Sequence, residues 1–219
     1  MLPRTLSQMD QPKSLRSEEH RLAKLSRIRE PHVAPLNELV DAIREAEGLA
    51  AEVPYFDPAD GGTNATCLFL FEAAGPGAVK SGFISRNNPD ETAKNFFLLN
   101  AEAGLPRRQT VSWNIIPWYI GTGSKIRPAS QHDLRRGLPY LDKLLAALPN
   151  LKVIVLAGRT AQRGEDRIRS LHYPAQIVKM MHPSPMVLNS KTYNRGAILA
   201  TLRRVAKMLD AESLDSPDA

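Results

Sequence analysis

From residue 66 onward, short apolar runs alternate with longer stretches whose apolar residues recur at helical spacing. The runs at 66–71, 110–116, 151–156 and 175–181 read as four strands. Between and after them the pattern predicts helices at 90–103, closed by Gly104, at 131–147, after Ala157-Gly158-Arg159-Thr160, and at 190–209. Ser130 caps the 131–147 helix, and Asp133 at its third position favours the N-terminal dipole. Strands that alternate with helices imply a parallel sheet covered on both faces. The expected fold is a single-domain three-layer α/β/α sandwich with a mostly parallel four-stranded central sheet. Upstream, 34–51 is a helix with Leu36, Leu39, Val40 and Ile43 on one face, and 16–29 carries five basic residues beside Leu22, Leu25 and Ile28. The chain divides into a polar, flexible segment at 1–17, one domain at 18–209, and an acidic flexible tail at 210–219.

Three segments place polar chemistry at the carboxyl ends of these strands, where open α/β sheets bind ligands. In Phe71-Glu72-Ala73-Ala74-Gly75-Pro76-Gly77 a buried-type run ends on one carboxylate, followed by a flexible loop. Carboxylates are rarely buried without a partner. In Thr110-Val111-Ser112-Trp113-Asn114-Ile115-Ile116-Pro117 an Asn, disfavoured in a strand, sits mid-run before a proline that ends it. Its amide offers donors and an acceptor, which suits reading a base edge, although a turn or cap role is the plain alternative. In His182-Pro183-Ser184-Pro185 two prolines stiffen the loop that carries a histidine and bar a helix through it. The plain alternative there is a strand-to-helix turn. A fourth segment, 53–63, is a turn-rich loop whose Gly61 and Gly62 let backbone approach a phosphate or a base, with a plain connector as the alternative.

Taken in order, these segments resemble the uracil-DNA glycosylase superfamily over residues 53–208. Phe71 to Gly77 resembles the first family motif, with Ala74 in place of its usual Pro and Phe71 in place of its usual Gly. His182-Pro183-Ser184-Pro185 resembles the second, a loop that enters the DNA minor groove. Asn114-Ile115-Ile116-Pro117 resembles the segment whose Asn recognises the base, and Phe83 falls where an aromatic stacks on extruded uracil. The resemblance implies that uracil is flipped out of DNA and its N-glycosidic bond hydrolysed. Glu72 and His182 are the implied catalytic residues: His182 donates to the departing base, and Glu72 orients water or stabilises the sugar cation. Asn114, Phe83, Gly61, Gly62 and Ala73 are the implied base contacts. Ser81, Ser184, Met186, Leu188 and Lys191 are the implied DNA contacts, with Met186 or Leu188 as an apolar wedge. Hypoxanthine and xanthine also carry a carbonyl where uracil has O4, so a wider base range is an alternative. A non-catalytic binder of uracil or abasic DNA is another, as is a nucleotide-binding enzyme unrelated to DNA. The branch that bonds covalently through a His in a basic loop is disfavoured, because Arg107-Arg108-Gln109-Thr110 lacks that His.

Composition narrows the chemistry further. Lys and Arg number 29 against 23 Asp and Glu, a net charge of +6. Four of the acids (Asp210, Glu212, Asp215, Asp218) lie in the tail, so the rest of the chain carries about +10, which suits a polyanion. Cys67 is the single cysteine, so the four-cysteine iron–sulfur site of the thermostable bacterial subfamilies cannot form, and no disulfide can form within the chain. The five histidines are scattered without metal-ligand spacing, so neither a metal nor a cofactor is expected. No Gly-Lys-Ser/Thr phosphate loop and no Gly-x-Ser-x-Gly elbow occurs. No apolar stretch approaches the ~18 residues of a spanning helix and no signal-peptide segment begins the chain, so the expectation is a cytoplasmic monomer with no membrane partner.

Overall fold

The computed structural model describes residues 10–49, 52–122 and 125–211. In chain order the strands are β1 (Tyr55–Phe56), β2 (Cys67–Ala74), β3 (Phe83–Ile84), β4 (Thr110–Tyr119), β5 (Gly121–Thr122), β6 (Lys125–Ile126), β7 (Val153–Ala157) and β8 (Gln176–Met180). The α-helices are α1 (Glu18–Leu25), α2 (Ala34–Glu47), α3 (Pro76–Ser81), α4 (Glu91–Glu102), α5 (Gln131–Ala146), α6 (Arg159–Gln162), α7 (Glu165–Ser170), α8 (Pro185–Leu188) and α9 (Asn194–Ala211).

The central sheet has the order β4-β2-β7-β8, and every neighbouring pair in it is parallel. The expected three layers are present. Leu68, Leu70, Val111, Trp113, Ile115, Ile154 and Leu156 face α2 and α5. Cys67, Phe69, Val153, Val155, Val178 and Met180 face α4 and α9. Strand side chains alternate between faces, so each β2 and β7 residue is assigned by parity. Edge strand β4 shows the same parity with a different result: Val111, Trp113 and Ile115 enter the first core, while Thr110, Ser112 and Asn114 turn a polar row toward the second layer.

Several boundaries differ from the sequence reading. Strand β4 runs through Pro117 instead of stopping there. An edge strand tolerates a missing N–H, and the register slips at this point, from Ala73 opposite Ile116 to Ala74 opposite Tyr119. Gly75-Pro76-Gly77 is not an open loop, because Pro76 occupies the first turn of α3, where its absent N–H costs nothing. Pro185 does the same for α8, so a short helix separates the His182 loop from α9, which starts at Asn194. The capping box of Ser130 and Asp133 on α5 forms as expected.

The segment before residue 18 is packed wherever it is described. Leu15 is buried, its N–H donates to the Asn87 carbonyl, and Lys13 pairs with Glu91. The expected flexibility therefore does not extend to 10–17; these residues close over a buried ionic cluster. In that cluster Asp57 accepts from Lys24 at 2.5 Å and Arg107 at 2.6 Å, and from Ser85. Arg107 also bonds Asp60 at 2.7 Å and Asn87 at 2.7 Å, and pairs with Asp10. Most of the expected acidic tail lies outside the described residues.

Candidate active site

A cavity of about 560 Å³ opens at the carboxyl end of the sheet. Strand β2 lies at the switch point of the topology, since the chain leaves it to β4 on one side and returns to β7 on the other. Parallel sheets open a crevice there. The end of β2 supplies Phe71, Glu72, Ala73 and Ala74 to the wall. The start of α6 supplies Gly158, Arg159 and Thr160, strand β4 supplies Ser112 and Asn114, and the loop after β8 supplies His182 and Ser184.

Glu72 is the only carboxylate on the β2 wall, and Thr160 donates its hydroxyl to it at 2.8 Å. That bond fixes one of its two oxygens. The His182 ring stands edge-on to Phe71, with centroids 5.8 Å apart. Burial holds the His182 imidazole below its ordinary histidine range, against the opposing pull of the Glu72 and Asp90 charges, so the ring is neutral at neutral pH. Its loop is fixed on two sides. Asn95 of α4 donates to the Pro183 carbonyl at 3.1 Å, and the Gly158 N–H donates to the Met180 carbonyl at 2.9 Å. Gly158 has φ +95°, and a Cβ there would lie 3.2 Å from the Cβ of His182, so a residue with no side chain lets the two loops meet. Asn114 is 5% exposed, lies opposite Phe71 in the ladder and makes no side-chain hydrogen bond among the described residues.

Of the residues singled out from sequence, the structure brings Glu72, Ala73, Asn114, His182, Ser184 and Met186 to one cavity. Ser184 caps α8, accepting from the Val187 N–H at 3.4 Å, which leaves its own O–H free to donate. Met186 is 80% exposed at the rim. Lys191 is exposed beyond the rim, its ammonium 5.6 Å from the Tyr193 ring.

Besides Lys191, five residues do not line the cavity. Phe83 is buried in β3 and does not line it; its neighbour Ile84 does, because successive strand residues face opposite sides. Ser81 is buried and spends its hydroxyl on Asn88 at 2.7 Å and on nearby carbonyls, so no phosphate can reach it. Gly61 and Gly62 lie at the opposite, amino end of the sheet. A Cβ on Gly61 would strike the Arg108 carbonyl and one on Gly62 the His32 carbonyl, so the close approach they permit is to the chain itself. Leu188 packs on the second core, which leaves Met186 as the exposed apolar residue of α8.

The sequence reading missed Thr160, Asp90, Ser112, Phe71 as an aromatic wall, and Arg86. Arg86 borders the cavity although only 5% of it is exposed. For Ser112 a signal was present: Thr110, Ser112 and Asn114 are polar at strict alternation, which places all three on one face.

This arrangement of three strand ends around one cleft agrees with an independent comparison. Residues 65–204 match the family model described as the uracil DNA glycosylase superfamily. The match covers more than half of the chain and includes all three strand ends, so the protein belongs to that superfamily. Membership supports a DNA glycosylase that acts on damaged bases. A search of curated proteins found no match.

Proposed function

We propose that this protein excises uracil from DNA by hydrolysing its N-glycosidic bond. The observation that carries the reading is the convergence of Glu72 near the end of β2, Asn114 in mid-β4 and His182 after β8 on one cavity with a largely apolar wall. A stacked base cannot reach such a recess, so it must leave the duplex first. Met186, exposed at the rim, fills the gap it leaves. Ser184, Arg159 and Lys191 hold the flanking phosphates.

Inside, Phe71 presents its ring to the base, and Asn114 pairs with its edge, donating to O4 and accepting from N3–H. Cytosine carries an amino group where uracil has O4 and would set donor against donor. As the C1′–N1 bond breaks, its electron pair leaves with the base and positive charge grows on the sugar. The neutral His182 donates a hydrogen bond to the base oxygen without itself losing a proton. Glu72, steadied by Thr160, faces the sugar and orients the water that adds to C1′.

The test is a set of oligonucleotides, each with one uracil, hypoxanthine or xanthine, incubated with protein and chelator and then cleaved with alkali. Uracil strands should break at the modified site, and Glu72→Gln should slow this by roughly 10²–10³. Tight binding to uracil DNA without alkali-labile product would instead favour a non-catalytic reader. Cleavage of the purine substrates alone would move the assignment to another deaminated base.

A further inference from the structure

Arg86 is a buried charge on the cavity wall. It is 95% buried by its 5% exposure, it borders the cavity, and its only hydrogen bond among the described residues runs from one terminal nitrogen to Thr110 Oγ at 2.6 Å. Its Nε is buried with no partner. The remaining terminal nitrogen has no bond and keeps a trace of exposed surface. A guanidinium has five N–H donors, and a buried cation with most of them unused is costly unless something else takes them up. Its ring contact, with Phe96 at 5.3 Å, lies on the same cavity wall. Asp57 and Asp60 bond Lys24 and Arg107, so neither is hydrogen-bonded to Arg86; the nearby charges of Asp60, Asp10 and Asp57 offset part of its burial but leave its free N–H donors unused.

Position gives this cation its meaning. Thr110 begins β4, and Glu72 lies near the end of the neighbouring β2, one pair beyond Phe71 and Asn114. The two charges therefore sit at different depths, the carboxylate toward the mouth and the guanidinium toward the floor. A nucleotide that enters base first puts its sugar beside Glu72 and its base toward Arg86.

We propose that Arg86 is a further residue of the reaction, a fixed cation at the base end of the cavity that holds the negative charge of the departing base. The inference rests on the glycosylase reading above. In the step concerned, the C1′–N1 bond breaks heterolytically and both electrons pass to the base, spreading from N1 over its two carbonyl oxygens. Water supplies oxygen to C1′, and a proton released from that water ends on the base or in solvent. Arg86 keeps its proton throughout. Because the base is neutral before cleavage and anionic during it, the cation favours the transition state over the bound substrate.

The test compares uracil with 5-fluorouracil in otherwise identical duplexes, under single-turnover conditions. Fluorine makes the leaving base a weaker base, so its departure depends less on an external cation. Arg86→Gln should slow uracil release roughly 10²-fold and 5-fluorouracil release at least about tenfold less, so the ratio of the 5-fluorouracil rate to the uracil rate rises. Arg86→Lys keeps the charge but withdraws it from the base, and its ratio should fall between those of wild type and Arg86→Gln. The ratio is internal to each preparation and does not depend on the fraction correctly folded. If Arg86→Gln does not fold, a ratio above wild type in Arg86→Lys supports the proposal and an unchanged one overturns it. Variants that slow both substrates equally would show a purely structural arginine. Wild-type protein that releases neither base would refute the glycosylase reading itself, and this proposal with it.

Discussion

Replacing Asn114 by Asp changes one atom in the proposed base contact and reverses its hydrogen-bonding sense. The amide is 5% exposed, borders the cavity and has no partner among the described residues, so its donors and acceptor are available to a ligand. With uracil in place, the amide N–H donates to O4. In Asn114→Asp an oxygen stands there and faces another oxygen. One hydrogen bond is lost and a buried acceptor is left unsatisfied, a cost of about 1–3 kcal/mol. That is roughly tenfold to somewhat more than a hundredfold in rate. The same substitution favours cytosine, whose amino group can donate to the new carboxylate.

The assay is single-turnover excision of uracil and of cytosine by both proteins on one duplex sequence. The uracil rate should fall within that range and the cytosine rate should rise above the wild-type background. A lower pH provides a second check. Burial favours the neutral carboxyl, and a protonated Asp can again donate to O4. The variant's uracil rate, relative to wild type, should therefore recover as pH falls. A uracil rate within twofold of wild type at neutral pH would show that Asn114 does not face the base, and recognition would then rest on the backbone of Ala73 and Ala74.

Gly158→Ala should lower excision roughly tenfold or more while duplex affinity changes little, since its Cβ would press on His182 at 3.2 Å and reactions tolerate such displacement poorly; an unchanged rate would refute the packing argument. NMR titration of His182 should give a midpoint below the ordinary value of about 6.5. Glu72→Gln should lower that midpoint further, because the Glu72 charge raises it; a rise would contradict the assigned cause. With the folded value depressed, the linked stability is present above the unfolded value and is lost as pH falls through the folded one. Arg107→Met should cost about 3–5 kcal/mol at neutral pH by stranding buried Asp57 and Asp60, read as a lower urea midpoint at unchanged slope; a loss below about 1 kcal/mol would mean that the ionic cluster contributes little.

The four strands, their parallel order of use and the helices between them were readable from periodicity, because each buried strand is a continuous apolar run of the right length. Glu72 and His182 were readable for the opposite reason: each is a polar residue immediately after such a run. Phe83 was misplaced because a motif order gives sequence position but not side-chain direction, and one step along β3 separates the buried Phe83 from the cavity-facing Ile84. Gly61 and Gly62 carried a true signal with two meanings. Glycine marks close approach, and the sequence alone did not say whether the approaching group was a ligand or the His32 and Arg108 carbonyls. Arg86 was invisible for a stronger reason. In Ser85-Arg86-Asn87-Asn88 an arginine among polar residues reads as a solvated charge, and nothing local says that the segment is folded inward.

What folds it inward is the ionic cluster beside it. Asp57 accepts from Ser85, and Asn87 is bound to Lys24, Arg107, Asp10 and the Gln11 carbonyl, so the residues on both sides of Arg86 are held by the ionic cluster beneath the sheet. Burial pushes the Asp57 carboxyl up, but Lys24 and Arg107 outweigh it and keep the group ionised well below the usual carboxylate range. Asp57 therefore remains a charged acceptor for Ser85 across the working pH range. The packed segment from residue 10 onward closes this cluster through Asp10, Gln11 and Leu15. The amino-terminal elements upstream of the family match thus reach the cavity wall through two hydrogen-bonded neighbours of one buried arginine. Loss of Asp57 or Lys24 should then raise the ratio of the 5-fluorouracil rate to the uracil rate, as loss of Arg86 does, although neither residue lines the cavity. Loss of Asp142, whose partner Arg167 lies on the surface, should leave it unchanged.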